Sequence, residues 1–457
     1  MNKIIQFGEG NFLRSFADLF FDTLNKEFKN EYEVYIVKPI KFGSIENFKK
    51  QNNVYHVIRR GCENGNVVEK VDKVECVKEV IDLSSEKERF YSLAKDPEVK
   101  ILVSNTTEAG ICFEKCNMND NLLDISYPAK LTLWLYTRYK AGLKGIYLLP
   151  IELIENNAEA LHECVDKYIT LWNLDEDFRK WNDNENFYCN TLVDRIVSGH
   201  ARDEETQKRI DTLIGENDLL SSICEPFGLW VIQNKGELSS LIPCGKHNID
   251  VLLVNDISYY KKRKVRVLNG SHTNLVPVSL WMGKETVYDV MKDSILSKFV
   301  EDTLNNEIIP FVDKDINKTI EFSNSVKDRF LNPFLNHQLT SIALNSLSKW
   351  RARCLPSFLD YYNNKKELPK YLTIGFVYLI HLYKSIEVSG ETCTVKLPTR
   401  TITIQDDIKM IEFIKNNSVK EILANENLWG IDLSKIYNLE NAISSSLKVV
   451  RDGGSLL

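Results

Sequence analysis

The feature that most constrains this chain lies at its N-terminus. A short apolar run, Ile4 to Phe7, passes directly into Gly8-Glu9-Gly10-Asn11-Phe12-Leu13-Arg14, and Phe12, Phe16, Leu19, Phe20 and Leu24 then recur at helical spacing as far as Phe28. Strand, glycine turn and helix start follow one another without a spare residue. A helix N-terminus presents unpaired backbone N–H groups and the positive end of its dipole, which favours a phosphate. On this reading Gly8 makes the tight turn and Gly10 lets a pyrophosphate approach the backbone, with Asn11, Phe12 and Arg14 in the first helical turn beside it. The third glycine of a GxGxxG pattern is missing, since Leu13 stands there, and an ordinary tight turn has the same spelling. Its place on the first strand of an α/β chain points to a dinucleotide.

The rest of the first half continues that pattern. Apolar runs at Glu33 to Val37, Lys100 to Ser104, Gly145 to Leu149 and Ile249 to Val254 read as strands buried on both faces, separated by amphipathic helical segments. Beyond about residue 256 the strand signal fades and helical segments follow one another. With 457 residues, the chain divides best into a parallel-sheet domain of the Rossmann type over 1–256 and a mostly α-helical domain over 257–457. The expected class is α/β.

Composition narrows the function by exclusion. With 43% hydrophobic and 27% charged residues the chain is neither disordered nor fibrous. A net charge of -6 gives no reason to expect nucleic acid or an anionic membrane as partner, so an anionic ligand must be held by local groups. The ten cysteines form no CxxC pair and no close Cys/His set, and no metal is expected. The longest apolar run, Leu372 to Tyr383, falls short of the roughly 20 residues a bilayer requires and reads as a buried helix. The first residues lack the apolar stretch of a signal peptide, so the expected compartment is the cytoplasm.

Polar groups at strand ends supply the next candidates. An acid closing the second strand would accept the ribose 2′-hydroxyl of NAD, yet Lys38 stands there. A cation at that place tolerates the 2′-phosphate of NADP or is a solvated strand end, and the residues leave both open. Ser104 to Gly110, with Thr107 and Glu108, follows a strand at the edge where α/β ligands bind, though a capped helix start has the same composition. Glu152 occupies the equivalent place one strand on. Asp194 beside Arg195 is either a structural ion pair or part of a site.

A second constellation opens the helical domain: Lys264-Val265-Arg266-Val267-Leu268-Asn269-Gly270-Ser271-His272. At about 100° per residue, Asn269 and His272 stand about 140° and 80° round the helix from Lys264, on one broad face. Desolvation among apolar neighbours suits a lysine to proton transfer, and an amide and an imidazole can bind the reacting oxygen. A solvated amphipathic face would use the same residues. Arg329, Asn332, Lys349, Arg351 and Arg353 form a basic stretch suited to a carboxylate or, again, to a solvated face. Lys349 and Arg353 are i and i+4 and share a side, with Arg351 pointing away.

Six segments, GEGNFLR at 8–14, SNTTEAG at 104–110, YPAKLT at 127–132, NTLVDRIV at 190–197, KVRVLNGSH at 264–272 and RFLNP at 329–333, resemble the polyol-specific long-chain dehydrogenases, also called the mannitol dehydrogenase family. The resemblance runs over almost the whole chain. It implies a metal-independent, NAD-linked, cytoplasmic oxidoreductase, with NADP left open by Lys38, acting on a small sugar acid or polyol. It also implies Lys264 as general acid/base, Asn269 as an oxyanion-binding amide, His272 as a substrate hydrogen-bonding group and Asp194 as a participant in proton movement. Leu153 replaces a second oxyanion-binding Asn of the family pattern, which favours a sugar acid over a neutral polyol. Glu152, Lys349 and Arg353 are the expected substrate contacts.

Overall fold

The computed structural model describes residues 2–29, 32–107, 109–313 and 315–457. It divides into two compact units, one of Met1–Arg60 and Val68–Ile257, the other of Gly61–Val67 and Ser258–Leu457.

The first unit is built on a parallel sheet of six strands: β1 (Asn2–Phe7), β2 (Tyr32–Lys38), β3 (Val77–Asp82), β4 (Val99–Ser104), β5 (Tyr147–Pro150) and β6 (Phe187–Tyr188). They lie in the order β3-β2-β1-β4-β5-β6, each pair parallel. The order changes direction between β1 and β4, and open sheets of this kind bind ligands beyond the strand ends at such a switch. The apolar runs are continuous because both faces are covered. Ile4, Val34, Ile36, Ile101 and Val103 pack on one face with the helix α1 over residues 11–28, which contributes Phe16, Phe20, Phe21 and Leu24. Ile5, Phe7, Tyr35, Val37, Leu102 and Leu148 face the other way, under Leu131, Trp134, Leu161 and Tyr168 of the helices Tyr127–Lys140 and Asn157–Leu171. Each fully buried side chain of this kind contributes about 1.5–3 kcal/mol.

Several strands, β6 and the pair Tyr55–Glu63 and Asn66–Val74 among them, form outside the runs read from the sequence. The edge strand β3 carries Lys78 and Glu79 among its valines, so it gives no continuous apolar run. The run at Ile249 to Val254 does form a strand, Asp250–Val254, but in a separate four-stranded sheet, where it pairs with Leu229–Gln233 and buries only Val251.

The second unit is mostly helical. Its elements at the candidate site are the helix α2 over residues 258–281, α3 (Ile316–Phe330) and α4 (Ser346–Arg353), and its centre is α5 (Lys370–Lys384). Every residue of α5 from Leu372 to Tyr383 is buried, as the apolar run implies. Gly375 lets α2 pass close by, since a side chain there would overlap the Asn274 amide. The unit also holds a small antiparallel sheet, Ile386–Ser389, Thr392–Lys396 and Thr401–Ile404, whose threonine-rich strands carry too little apolar signal to be read beforehand. Among the described residues no helix is long and apolar enough to cross a membrane.

Candidate active site

At the end of β1 the chain turns on Gly8 with φ +118°, in the region where L side chains are strained. A Cβ there would stand 3.0 Å from Leu13 Cδ1 and 3.1 Å from the Asn105 carbonyl oxygen, so both conformation and space demand glycine. Gly10 is the extended N-cap of α1, has no side-chain cap, and has no atom within 4 Å of where its Cβ would lie. An uncapped helix start lined by bare backbone fits the pyrophosphate of a dinucleotide. Asn11 and Phe12 are half-buried, and Phe12 stacks on Phe16 at 5.1 Å.

Arg14 is drawn into the protein. Its Nη1 donates to the Leu220 carbonyl and its Nη2 to Asn11 Oδ1 at 2.6 Å, and the guanidinium lies over the Phe48 and Tyr55 rings. The turn Arg14–Asp18 is π-helical and ends on a fully buried carboxyl. Asp18 accepts from Tyr55 Oη at 2.6 Å and from Gln6 Nε2 at 3.4 Å, and burial, acting against these hydrogen bonds, pushes its pKa up to about 7. Gln6 Nε2 also donates to the Gly8 carbonyl at 3.2 Å, tying the glycine turn to this network.

The neighbouring strand ends are occupied by structure. Lys38 is 2% exposed and its Nζ lies 3.1 Å from Asp82 Oδ2 at the end of β3. Beyond β4, Thr107 is exposed with φ +69°, while Glu108 lies outside the described residues. The buried Glu152 holds this loop. One oxygen accepts the Thr106 N–H at 3.0 Å and its Oγ1 at 2.9 Å, and the other accepts Ser104 Oγ at 3.1 Å. Burial raises the Glu152 pKa against those bonds. Leu153 is exposed, and the buried Asp194 ends the strand Thr191–Asp194 opposite Leu229.

In the second unit, α2 is α-helical over Ser258–Arg263, π-helical over Lys264–Gly270 and α-helical again over Ser271–Trp281. This corrects the helical arithmetic. A turn that closes in 3.6 residues in an α-helix takes about 4.4 under i→i+5 bonding. The five-residue step from Lys264 to Asn269 is then little more than one turn, and the step to His272 is close to two. All three groups lie much nearer one line than the 100° spacing gives. Hydroxyls take up carbonyls along the distorted stretch, Ser271 Oγ donating to Val267 O at 2.5 Å and Thr273 Oγ1 to Asn269 O at 2.8 Å. Gly270 brings α4 close, a Cβ there falling 3.1 Å from the Arg353 carbonyl oxygen.

His272 lies within the electrostatic reach of two cations, Arg329 and Arg353. Its ring is buried and stacks on Phe330 of α3 at 4.2 Å, with the His337 ring edge-on at 5.0 Å. Burial first, then His337, Arg329 and Arg353, hold its pKa well below the ordinary imidazole value, so it is neutral. Nε2 has no hydrogen-bond partner among the described residues. Arg353 Nη1 reaches Thr273 Oγ1 at 3.5 Å, and burial beside Arg353 lowers the pKa of Lys349 despite Asp406. Lys349 and Arg353 therefore share a side of α4, while Arg351 turns away to the Asn427 carbonyl at 3.3 Å. Among the described residues there is no cluster of His, Cys, Asp or Glu that could hold a metal.

Residues 2–241 match the family pattern described as "Mannitol dehydrogenase Rossmann domain", and residues 256–451 that described as "Mannitol dehydrogenase C-terminal domain". The chain belongs to the mannitol dehydrogenase family. Curated relatives include the altronate oxidoreductase of Yersinia enterocolitica serotype O:8 / biotype 1B, 37% identical over 99% of this chain and 95% of the relative. That of Escherichia coli O139:H28 has the same identity and coverage. Among solved structures, a D-sorbitol dehydrogenase in substrate-free form has a TM-score of 0.82 at 19% identity, over 99% of this chain and 93% of that one. The Pseudomonas fluorescens mannitol 2-dehydrogenase, in ternary complex with NAD and D-mannitol, has a TM-score of 0.67 at 16% identity, over 99% and 92%. As a mannitol dehydrogenase family member the chain is an oxidoreductase acting on CH–OH groups with a nicotinamide cofactor.

Within this family member's helical unit, sequence reasoning missed His337. It lies in the irregular segment after α3, where no periodicity marks it, and only folding brings it against His272. Asp82 was missed with its strand.

Proposed function

We propose that the protein interconverts tagaturonate and altronate, reducing the C=O of the keto acid with NADH and oxidising the alcohol with NAD, a step in hexuronate catabolism. The observation that carries this reading is the 37% identity to altronate oxidoreductases along 99% of the chain. Lys349 and Arg353 support it, because two cations on one side of α4 suit a substrate that carries a carboxylate.

The glycine turn and the start of α1 would hold the pyrophosphate, through Gly8, Gly10, Asn11 and Phe12, with Thr107 and Glu108 contributing from the loop after β4. Arg14 and Lys38 act on that site from buried positions. The dihydronicotinamide, when bound, would supply the hydride for the carbonyl carbon. In the reductive direction Lys264 donates a proton from Nζ to the oxygen as it becomes an alkoxide, and it removes that proton in reverse. The Asn269 amide donates to the same oxygen, and His272, neutral by burial, hydrogen-bonds a substrate hydroxyl through Nε2. Asp194 takes part in moving the proton. Glu152 serves the substrate by fixing the loop after β4. The test is NADH consumption with tagaturonate and identification of altronate as product. Fructuronate or fructose turned over at higher kcat/KM would overturn the assignment.

A further inference from the structure

The second strand of this fold ends on a cation where an acid is expected, and the structure shows what that cation does. Lys38 and Asp82 are the last register pair of β2 and β3, at the same end of the sheet as the Gly8 turn, whose N–H donates to the Val37 carbonyl at 3.0 Å. The Lys38 side chain is 3% exposed and that of Asp82 is 18% exposed, so the pair presents its carboxylate to solvent and hides its ammonium. Glu9 stands beside them. Its Oε1 and Lys38 Cε lie 3.4 and 3.9 Å from the point a Cβ on Gly43 would occupy. Lys38 takes a bond at Asp82 Oδ2 and the Ser84 N–H one at Oδ1 at 2.9 Å, and each oxygen keeps acceptor capacity.

Resting on the reading of this end of the sheet as the nicotinamide dinucleotide site, we propose that Asp82 reads the adenosine ribose. Its carboxylate, anchored by Lys38, accepts the 2′-hydroxyl of NAD(H) and repels the 2′-phosphate of NADP(H), with Glu9 adding to the repulsion. The acid that normally closes β2 is thus supplied from β3, and Lys38 is its positioning residue. The hydrogen bonds from Ser84 and Lys38 hold the Asp82 pKa below the usual carboxylate value in spite of burial, which keeps the acceptor charged. A cation already spent on Asp82 leaves no counter-charge for a 2′-phosphate.

The test is binding without substrate, read by the fluorescence of the dihydronicotinamide. The expected wild-type Kd for NADPH exceeds that for NADH by about tenfold or more, the range set by one charge-assisted hydrogen bond. Asp82→Asn, which frees Lys38, is expected to lower the NADPH Kd and shrink the ratio by about tenfold, whereas Lys38→Met keeps NADPH excluded. Should Asp82→Asn not fold, competition against NADH on the wild-type chain decides instead, with 5′-AMP expected to displace it at lower concentration than adenosine 2′,5′-bisphosphate. An unchanged ratio in a folded Asp82→Asn variant, or equal competition by the two nucleotides, overturns the role of Asp82 alone. Binding of neither dinucleotide overturns the nicotinamide reading with it.

Discussion

The candidate sites of the two units are built in contrasting ways, although each lies on a helix with a π-helical turn. At the start of α1 the exposed candidate surface is backbone. Gly8 at φ +118° makes a tightly packed turn, the uncapped Gly10 faces open space, and the side chains of the π turn, from Arg14 to Asp18, are buried. In α2 the candidate surface is side chains, and the wider π turn brings the positions of Lys264, Asn269 and His272 closer to one line than an α-helix would. A backbone site can be carried by a handful of consecutive residues, while a side-chain site borrows from whatever packs against it, here α3, α4 and His337. The first suits a phosphate, whatever molecule carries it, and the second, on the reading proposed above, a particular substrate.

The sharpest way to break this contrast is to remove one group from the side-chain site of α2. Lys264→Ala is expected to lower kcat by about a hundredfold or more with NADH binding intact, the range for a general acid/base. Near-full kcat in that variant would remove Lys264 from proton transfer. Next in size are Lys349→Met and Arg353→Met, each expected to cut kcat/KM for tagaturonate by about ten- to a hundredfold and for fructose far less. A proportional loss on both substrates would mean that these cations support the fold only. At the backbone site of α1, Gly8→Ala forces a Cβ into an atom-filled, strained position, so NADH affinity should fall by about tenfold while the α2 constellation is undisturbed. An unchanged NADH Kd would deny the turn its role.

The smallest expected effect concerns one buried carboxyl in each unit. Asp18 and Glu307 are both buried carboxyls raised to about 7, chiefly by burial. Glu307 accepts the Tyr371 and Leu372 N–H groups at the start of α5 at 2.8 and 2.7 Å. A carboxyl whose folded pKa lies above its unfolded value holds its proton longer in the native state. Its contribution is therefore full below pH 4 and is lost as pH rises toward 7, at up to about 1.4 kcal/mol per pH unit. Denaturant titrations of Asp18→Asn between pH 4 and 7 should show a shallower fall than the parent. An identical slope would place the titration elsewhere.

The same contrast explains what the sequence could and could not tell. The strand–glycine–helix run, the buried α5 and the i,i+4 pair on α4 are local patterns, and each is legible because a few neighbouring residues determine it. Strand β3 hides because an edge strand carries charges such as Lys78 and Glu79. The π turn of α2 is invisible in a periodicity, since it depends on Gly270 lying against Arg353 and on Ser271 and Thr273 taking carbonyls. His337 and the Lys38–Asp82 pair arise only from tertiary packing and strand register.

The most direct measurement for the whole account is the steady-state kcat/KM of the unmodified protein with NADH for tagaturonate, fructuronate and fructose side by side. Tagaturonate should give the highest value and the uncharged ketose the lowest. Equal or faster reduction of fructose would contradict it.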